Sequence, residues 1–428
     1  MSSMVLRNVA PYGEAPVDVE ITDGVITGLV PVGTGKGEVV HAFDGDVLLP
    51  GLVDLHTHLR EPGREDAETI LTGSQAAALG GFTAVHAMAN TNPVADTAGD
   101  VELVWRAGID AGYCDVRPVG AVTVGLAGER LAELGAMADS AAKVRVFSDD
   151  GKCVSDALLM RRALEYVKAF DGVVAQHAQE PRLTEGAQMN EGIVSARLGL
   201  AGWPAVAEEA IIARDVLLAE HVGSRLHVCH LSTAGSVEII RWAKSRGIAV
   251  TAEVTPHHLV LTDELAATYD PVYKVNPPLR TKEDVDAVRA GLEDGTIDIV
   301  ATDHAPHPHE DKDCEWAAAA MGMLGLETAL SVVIETMVDT NRLNWRQVAD
   351  RMSVNPARIG RVHDQGQQIA VGVPANLTVV DPNATWIVDP LRLASKSRNT
   401  PYAARTMRGK VRATFFRGKP TVLEGVLA

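Results

Sequence analysis

The chain has 428 residues, 46% hydrophobic and 22% charged, enough for a large buried core and too many for one small domain. Its formal net charge of −17 excludes a nucleic-acid partner, because no basic face is available to neutralise phosphates. The N-terminus, MSSMVLRNVAPYGEAP, has no apolar leader, and no later run approaches the roughly 20 apolar residues of a membrane span.

A cytoplasmic, non-membrane protein is therefore expected. Any anionic ligand must be held by a local cationic pocket rather than by the global field. Cys114, Cys153, Cys229 and Cys314 form no C-x-x-C pair, so free thiols in a reducing compartment are expected.

In chain order, the first elements are β-type. VDVEITDGVITGLV alternates around Asp23-Gly24, a hairpin signal. Eight apolar runs follow as candidate strands: 53–58, 82–88, 116–122, 143–147, 173–177, 226–230, 248–254 and 297–303. Runs rich in Ala, Leu, Glu and Arg separate them, the alternation of repeated βα units. Eight is the number a closed (β/α)8 barrel of the TIM type requires. The C-terminal runs ANLTVVDP, ATWIVDP and VRATFFRGKPTVLEGVL return to short strands broken by Pro, Gly and Asn. The expected organisation is an α/β barrel over 51–365 and a small β-sandwich built from 1–50 and 366–428.

Polar residues stand where the barrel strands end: His56 and His58, Asn90, Asp149 and Asp150, His177, His230 and Asp303. In such a barrel the active site lies at those ends. Imidazole and carboxylate are ligands that Zn²⁺ accepts. Residues i and i+2 on a strand share a face, so His56 and His58 can grip one ion.

DLHTHLREPG (54–63), MANTNP (88–93), NPPLR (276–280) and TDHAPH (302–307) resemble the motifs of the amidohydrolase superfamily, and of dihydroorotases in particular. The resemblance implies a two-zinc site. His56, His58 and Asp303 would hold one ion and His177 and His230 the other, with a carboxylate at the end of strand four between them. In many relatives that bridge is a carboxylated lysine. Here strand four reads KVRVFSDDG (143–151), with Lys143 at its opening end, so Asp150 matches a branch that uses aspartate, with Asp149 as the fallback.

The reaction implied is reversible cyclisation of N-carbamoyl-L-aspartate to dihydroorotate, with Asp303 as general acid/base. Arg60, Asn90 and His307 would hold the non-reacting carboxylate. Asn276 would contact the ring amide, and the backbone of Met321 and Gly322 would cover the ring edge, where relatives more often carry Phe-Gly. His58 belongs to both the metal and the substrate sets.

Other histidines are set aside. His227 is expected to face the helices, His304 to point off the metal side, and His257, His258 and His309 to lie on solvated loops. Two alternatives stand beside this reading: another cyclic amidohydrolase (a hydantoinase, dihydropyrimidinase or allantoinase), and a non-catalytic scaffold supporting aspartate carbamoyltransferase. A homodimer, and an association of an active enzyme with that transferase, are left open.

Overall fold

The structure is a computed structural model and describes residues 3–428. Barrel strands one to three, Leu52–Thr57, Phe82–Ala87 and Asp115–Pro118, pair in parallel. Strands four to eight, Val146–Phe147, Val173–Gln176, Leu226–Val228, Val250–Val254 and Ile299–Val300, do the same. Parallel bridges Gly120–Phe147 and Thr57–His304 join the two sets at both seams and close the barrel.

Period-two alternation explains why these runs are strands. Leu55, Val146, Val173, Ala175, Cys229, Ile299 and Ala301 fill the barrel interior. Their neighbours Val174, Leu226, Val228, Val250 and Val300 pack outward with the helices. Five of the helices between strands begin at side-chain caps. Thr69, Thr97, Asp156, Thr233 and Thr281 each accept a backbone N–H of the first turn.

Several strands are shorter than the apolar runs that announce them. The fourth keeps only Val146–Phe147 of 143–147, and Lys143 is already left-handed, with φ 51°. The sixth stops at Val228 rather than 230, and the eighth keeps Ile299–Val300 of 297–303. At their ends His230 and Asp303 take φ 31° and 44°, so the chain leaves strand geometry where its polar residues begin.

Strands from both termini share one nine-stranded sheet beside the barrel. Ser3–Pro11 pairs antiparallel with Val17–Thr22 and parallel with Val47–Pro50. Val47–Pro50 pairs in turn with Leu377–Ile387 from the C-terminal end. Leu6, Val19, Ile26, Leu48, Leu377 and Phe415 form a small core of their own. Val47, Leu49 and Val380, on the opposite face, join the main core. Within 366–428, the stretch 388–405 leaves the sheet and packs on the barrel, with Val388 and Tyr402 in the main core. No helix among the described residues is long and apolar enough to cross a membrane.

The two chain ends meet at a pair of turns. Gly24 has φ 81°, and a Cβ there would lie 2.7 Å from the Arg417 carbonyl oxygen. Gly418 has φ 74°, and its Cβ would lie 2.4 Å from the Gly24 Cα. Gly418→Ala should therefore destabilise by about 2 kcal/mol or more, combining left-handed strain with a backbone clash. Gly33→Ala, at φ 85° but in open space, should cost about 1 kcal/mol through strain alone. Urea unfolding of both variants checks this, and equal losses would show that the turns do not touch.

Candidate active site

The strand ends bring six side chains to one buried place: His56 and His58 from strand one, Asp150 after strand four, His177 after five, His230 after six and Asp303 after eight. His58 Nε2 lies 3.2 Å from both Asp150 Oδ2 and Asp303 Oδ1. His56 Nε2 lies 3.4 Å from Asp150 Oδ1 and 3.5 Å from Asp303 Oδ1. His177 Nδ1 and His230 Nε2 are 2.8 Å apart, each 3.2 Å from Asp150 Oδ1. The two oxygens of Asp150 thus face different imidazoles.

Asp149 does not enter this cluster. Its carboxylate accepts the Val122 and Thr123 N–H groups at 2.8 and 2.9 Å and the Thr123 hydroxyl, tying strand three's loop to strand four. Lys143 is exposed and its Nζ donates to the Asp139 carbonyl. It stands at the opposite end of its strand from Asp150.

The outer ring nitrogens are committed, which fixes what the inner ones present. His56 Nδ1 donates to Glu253 Oε1 at 2.6 Å, His58 Nδ1 to Asn90 Oδ1 at 2.9 Å, and His177 Nε2 to Gln179 Oε1 at 2.7 Å. In the neutral, metal-binding form each of these bonds would leave a lone pair on the other nitrogen, the one that faces Asp150 or Asp303. His56 Nε2 is buried and has no hydrogen-bond partner. His56, His58 and Asp303 form one compact three-ligand group, and His56, Asp150 and His230 another.

This donor set fits a borderline cation such as zinc. Electrostatics agree. Burial would lower His56, but Asp150, Glu253 and Asp303 hold it well above its ordinary value. Burial would raise Asp150, yet the charge of His56 and hydrogen bonds from His177 and His230 keep it well below the usual range. A negative potential that raises imidazoles also favours a metal cation.

Beside the cluster, Arg60 is left-handed at φ 62° and donates from Nε to the Pro306 carbonyl at 3.0 Å. Burial lowers its guanidinium to about 10, so it stays charged at neutral pH. Its terminal nitrogen NH2 lies 3.4 Å from His307 Nε2. His307 is held near 3 by burial and by the charge of Arg60, so it is neutral and donates Nε2–H to the Met321 carbonyl at 3.0 Å. Asn276 donates Nδ2–H to Gln179 at 3.2 Å, while its buried Oδ1 has no partner. Gly322 passes so close that a Cβ would lie 2.7 Å from His307 Nε2.

A family described as Dihydro-orotase-like matches residues 45–236. A dihydroorotase of Streptomyces coelicolor is 70% identical over 427 residues, a coverage of 100% for each chain. One of Mycobacterium tuberculosis is 58% identical over 426 residues, 99% of each. The chain belongs to the dihydroorotase family. Among solved structures, an L-hydantoinase (dihydropyrimidinase) from Arthrobacter aurescens superposes with a TM-score of 0.88 over 100% of this chain and 98% of its own. At 24% identity that likeness is one of fold: the TIM-type barrel with its β-sandwich.

Three sequence-based expectations for this dihydroorotase-family chain are corrected. His227 does not face the helices. It lies in the barrel interior, with Nε2 2.9 Å from Glu253 Oε2 and Nδ1 2.8 Å from Thr251 Oγ1. Parity counted back from His230 fails because His230 has left the strand. His257 and His258 are not solvated: both are buried in a single 3₁₀ turn, His257–Leu259, where His258 bonds Thr255 and the Pro278 carbonyl. His304 does turn away, towards Glu68, and His309 is exposed.

Glu253 and Gln179 were not singled out in the sequence. Glu253 stands next to last in the apolar run 248–254, so its place near a strand end was its only signal. This carboxylate accepts from His56, from His227 and from the His230 N–H at 3.1 Å. Those bonds and charges hold it far below the usual range against the opposing effect of burial. Glu253→Gln, which keeps an acceptor and loses the charge, should weaken metal binding by about 10–100-fold in chelator competition. Wild-type metal affinity in that variant would show that Glu253 does not orient His56 for a metal.

Proposed function

We propose that this protein is a zinc-dependent dihydroorotase of the cytoplasm, interconverting N-carbamoyl-L-aspartate and (S)-dihydroorotate plus water in de novo pyrimidine biosynthesis. The observation that carries the substrate is Arg60: a charged guanidinium beside the imidazole–carboxylate cluster, whose Nε donates to a backbone carbonyl and which forms no ion pair with a carboxylate among the described residues. A buried charge without a counterion calls for one in the ligand.

His56, His58 and Asp303 would hold one zinc and His177 and His230 a second, with Asp150 shared between them. Zinc supplies Lewis acidity towards a carbonyl oxygen and ionises water near neutral pH. The remaining work falls to the chain. Arg60, with Asn90, His307 and the zinc-binding His58, places the non-reacting carboxylate. The open Oδ1 of Asn276 accepts the ring amide N–H, and the Met321–Gly322 backbone covers the ring edge. Asp303 is held low by His56 and His58 despite its burial, so it is ionised and able to accept a proton. In the hydrolytic direction water adds to the amide carbon, the carbon–nitrogen bond breaks, and Asp303 carries the water proton to the departing nitrogen.

Turnover of dihydroorotate, hydantoin, dihydrouracil and allantoin, measured side by side, tests the assignment. Dihydroorotate should be strongly preferred, and a preference for an uncharged ring would replace this reading with a hydantoinase-type one. A charge-assisted hydrogen bond contributes about 1.5–3 kcal/mol, so Arg60→Ala should lower kcat/KM for dihydroorotate on the order of 10²-fold. Zinc content should stay near wild type, since Arg60 is no ligand, and Arg60→Lys should remain impaired for lack of the planar fork.

The bridge has its own test. A crystal structure of the zinc-loaded protein should show Asp150 between the ions, and density for a carboxylated lysine there would refute it.

A further inference from the structure

Behind the Met321–Gly322 segment lie two lysines that the chemistry above does not use. Lys312 is buried, and its Nζ donates to the carbonyls of Ala320 at 2.8 Å, Gly322 at 3.1 Å and Lys274 at 3.2 Å. Lys274 is buried as well, and its Nζ donates to the carbonyls of Trp316 at 2.7 Å and Ala317 at 3.2 Å. All these bonds go to backbone carbonyls rather than carboxylates. Desolvating an ammonium is costly unless its donors are satisfied, and Lys312 meets one carbonyl for each of its three N–H groups.

The carbonyls so gathered belong to two segments that flank the site. Lys274 stands two residues before Asn276, and its carbonyl also accepts the Gly322 N–H at 3.0 Å. The Ala320 N–H donates to the Asp311 carbonyl at 3.0 Å. On the other side, the Gly322 carbonyl accepts from Asn399 Nδ2 at 3.1 Å and the Met321 carbonyl from His307. A trans peptide sets its N–H opposite its carbonyl, so with the Ala320 carbonyl on Lys312 the Met321 N–H points away from the lysine. That N–H has no acceptor among the described residues.

We propose that Lys312 is a positioning residue for substrate recognition: by clamping the carbonyls of Ala320, Gly322 and Lys274, it presets the Met321–Gly322 backbone, with the Met321 N–H open, before substrate arrives. The proposal rests on the reading of Met321–Gly322 as the segment covering the ring of dihydroorotate. Its consequence is a ground-state effect. Loss of the clamp leaves the zinc ligands and Asp303 in place but loosens one wall of the substrate site.

Lys312→Met preserves length and apolar contact while removing every donor. KM for dihydroorotate should rise about tenfold or more with kcat within about threefold, the split expected when binding common to ground and transition states is lost. Zinc content should match wild type, and Lys312→Arg should recover part of the KM. Unchanged KM in a folded, zinc-replete Lys312→Met enzyme overturns the proposal, as does a joint fall of zinc content and kcat, which marks a structural role only.

The wild-type enzyme gives a measurement that does not depend on any variant folding. By hydrogen exchange, the Ala320 and Gly322 amides should be protected without ligand, and the Met321 amide should become protected only when dihydroorotate is added. Protection of Ala320 and Gly322 that appears only with dihydroorotate overturns the preset backbone. A wild-type protein inert towards dihydroorotate would sink the substrate reading and this proposal together. An active wild type with an indifferent Lys312→Met variant would sink this proposal alone.

Discussion

Two buried carboxylates, Asp150 and Asp303, stand 3.2 Å from the same imidazole nitrogen, His58 Nε2, and the rest of the site follows from that crowding. Like charges so close in a dry place must be offset by positive charge. Imidazoles from strand ends one, five and six supply inward lone pairs for a cation. Glu253, Asn90 and Gln179 hold the outer nitrogens of His56, His58 and His177, so that these three rings cannot turn away. Only a closed barrel brings the ends of strands so distant in sequence within one coordination sphere. His230 and Asp303 accept left-handed backbone to complete it.

The second constraint is the opposition between the whole molecule and its site. A net charge of −17 repels an anionic substrate at long range, so affinity for one must be local. Arg60, Lys274 and Lys312 stand together on one side of the cluster, held by carbonyls rather than carboxylates. Carbonyl partners leave Arg60 without a fixed counterion, whereas a carboxylate would cancel its charge. Burial lowers Lys312 to about 7, so the cationic charge offered to a ligand rests on Arg60. The barrel interior takes no part in that choice, since Leu55, Val173, Ala175 and Ile299 are apolar filler. Substrate identity lies in the loops above it.

The larger features were legible because they depend on local repetition. Apolar runs of strand length alternating with helical runs expose a barrel, since every strand must bury both faces. Polar residues ending those runs expose the site, since nothing in an apolar barrel calls for imidazole there. The hairpin at Asp23-Gly24 was readable from the glycine's left-handed turn, which any side chain would strain. The metal-ligand and substrate sets came from motif resemblance added to strand-end placement.

Tertiary structure decided what pairwise placement alone can decide. Asp149 and Asp150 are identical in type and adjacent in sequence. Their different fates follow from Thr123, which takes one carboxylate, and from His177 and His230, which face the other. His227 was misread because one left-handed residue at His230 breaks the period-two count that sequence reasoning extends. His257 and His258 read as loop residues, because nothing local reveals that a single 3₁₀ turn will be buried. Glu253 gains its place from two histidines far away in sequence, and Lys312 from carbonyls of which the Lys274 one lies 38 residues away. The sequence by itself determined the repeating units and the chemical types at their ends, because periodicity and side-chain chemistry are local. Which of those side chains meet, and which of their atoms stay free for a ligand, was settled by barrel closure and loop packing, because hydrogen-bond partners are chosen only once distant segments are brought together.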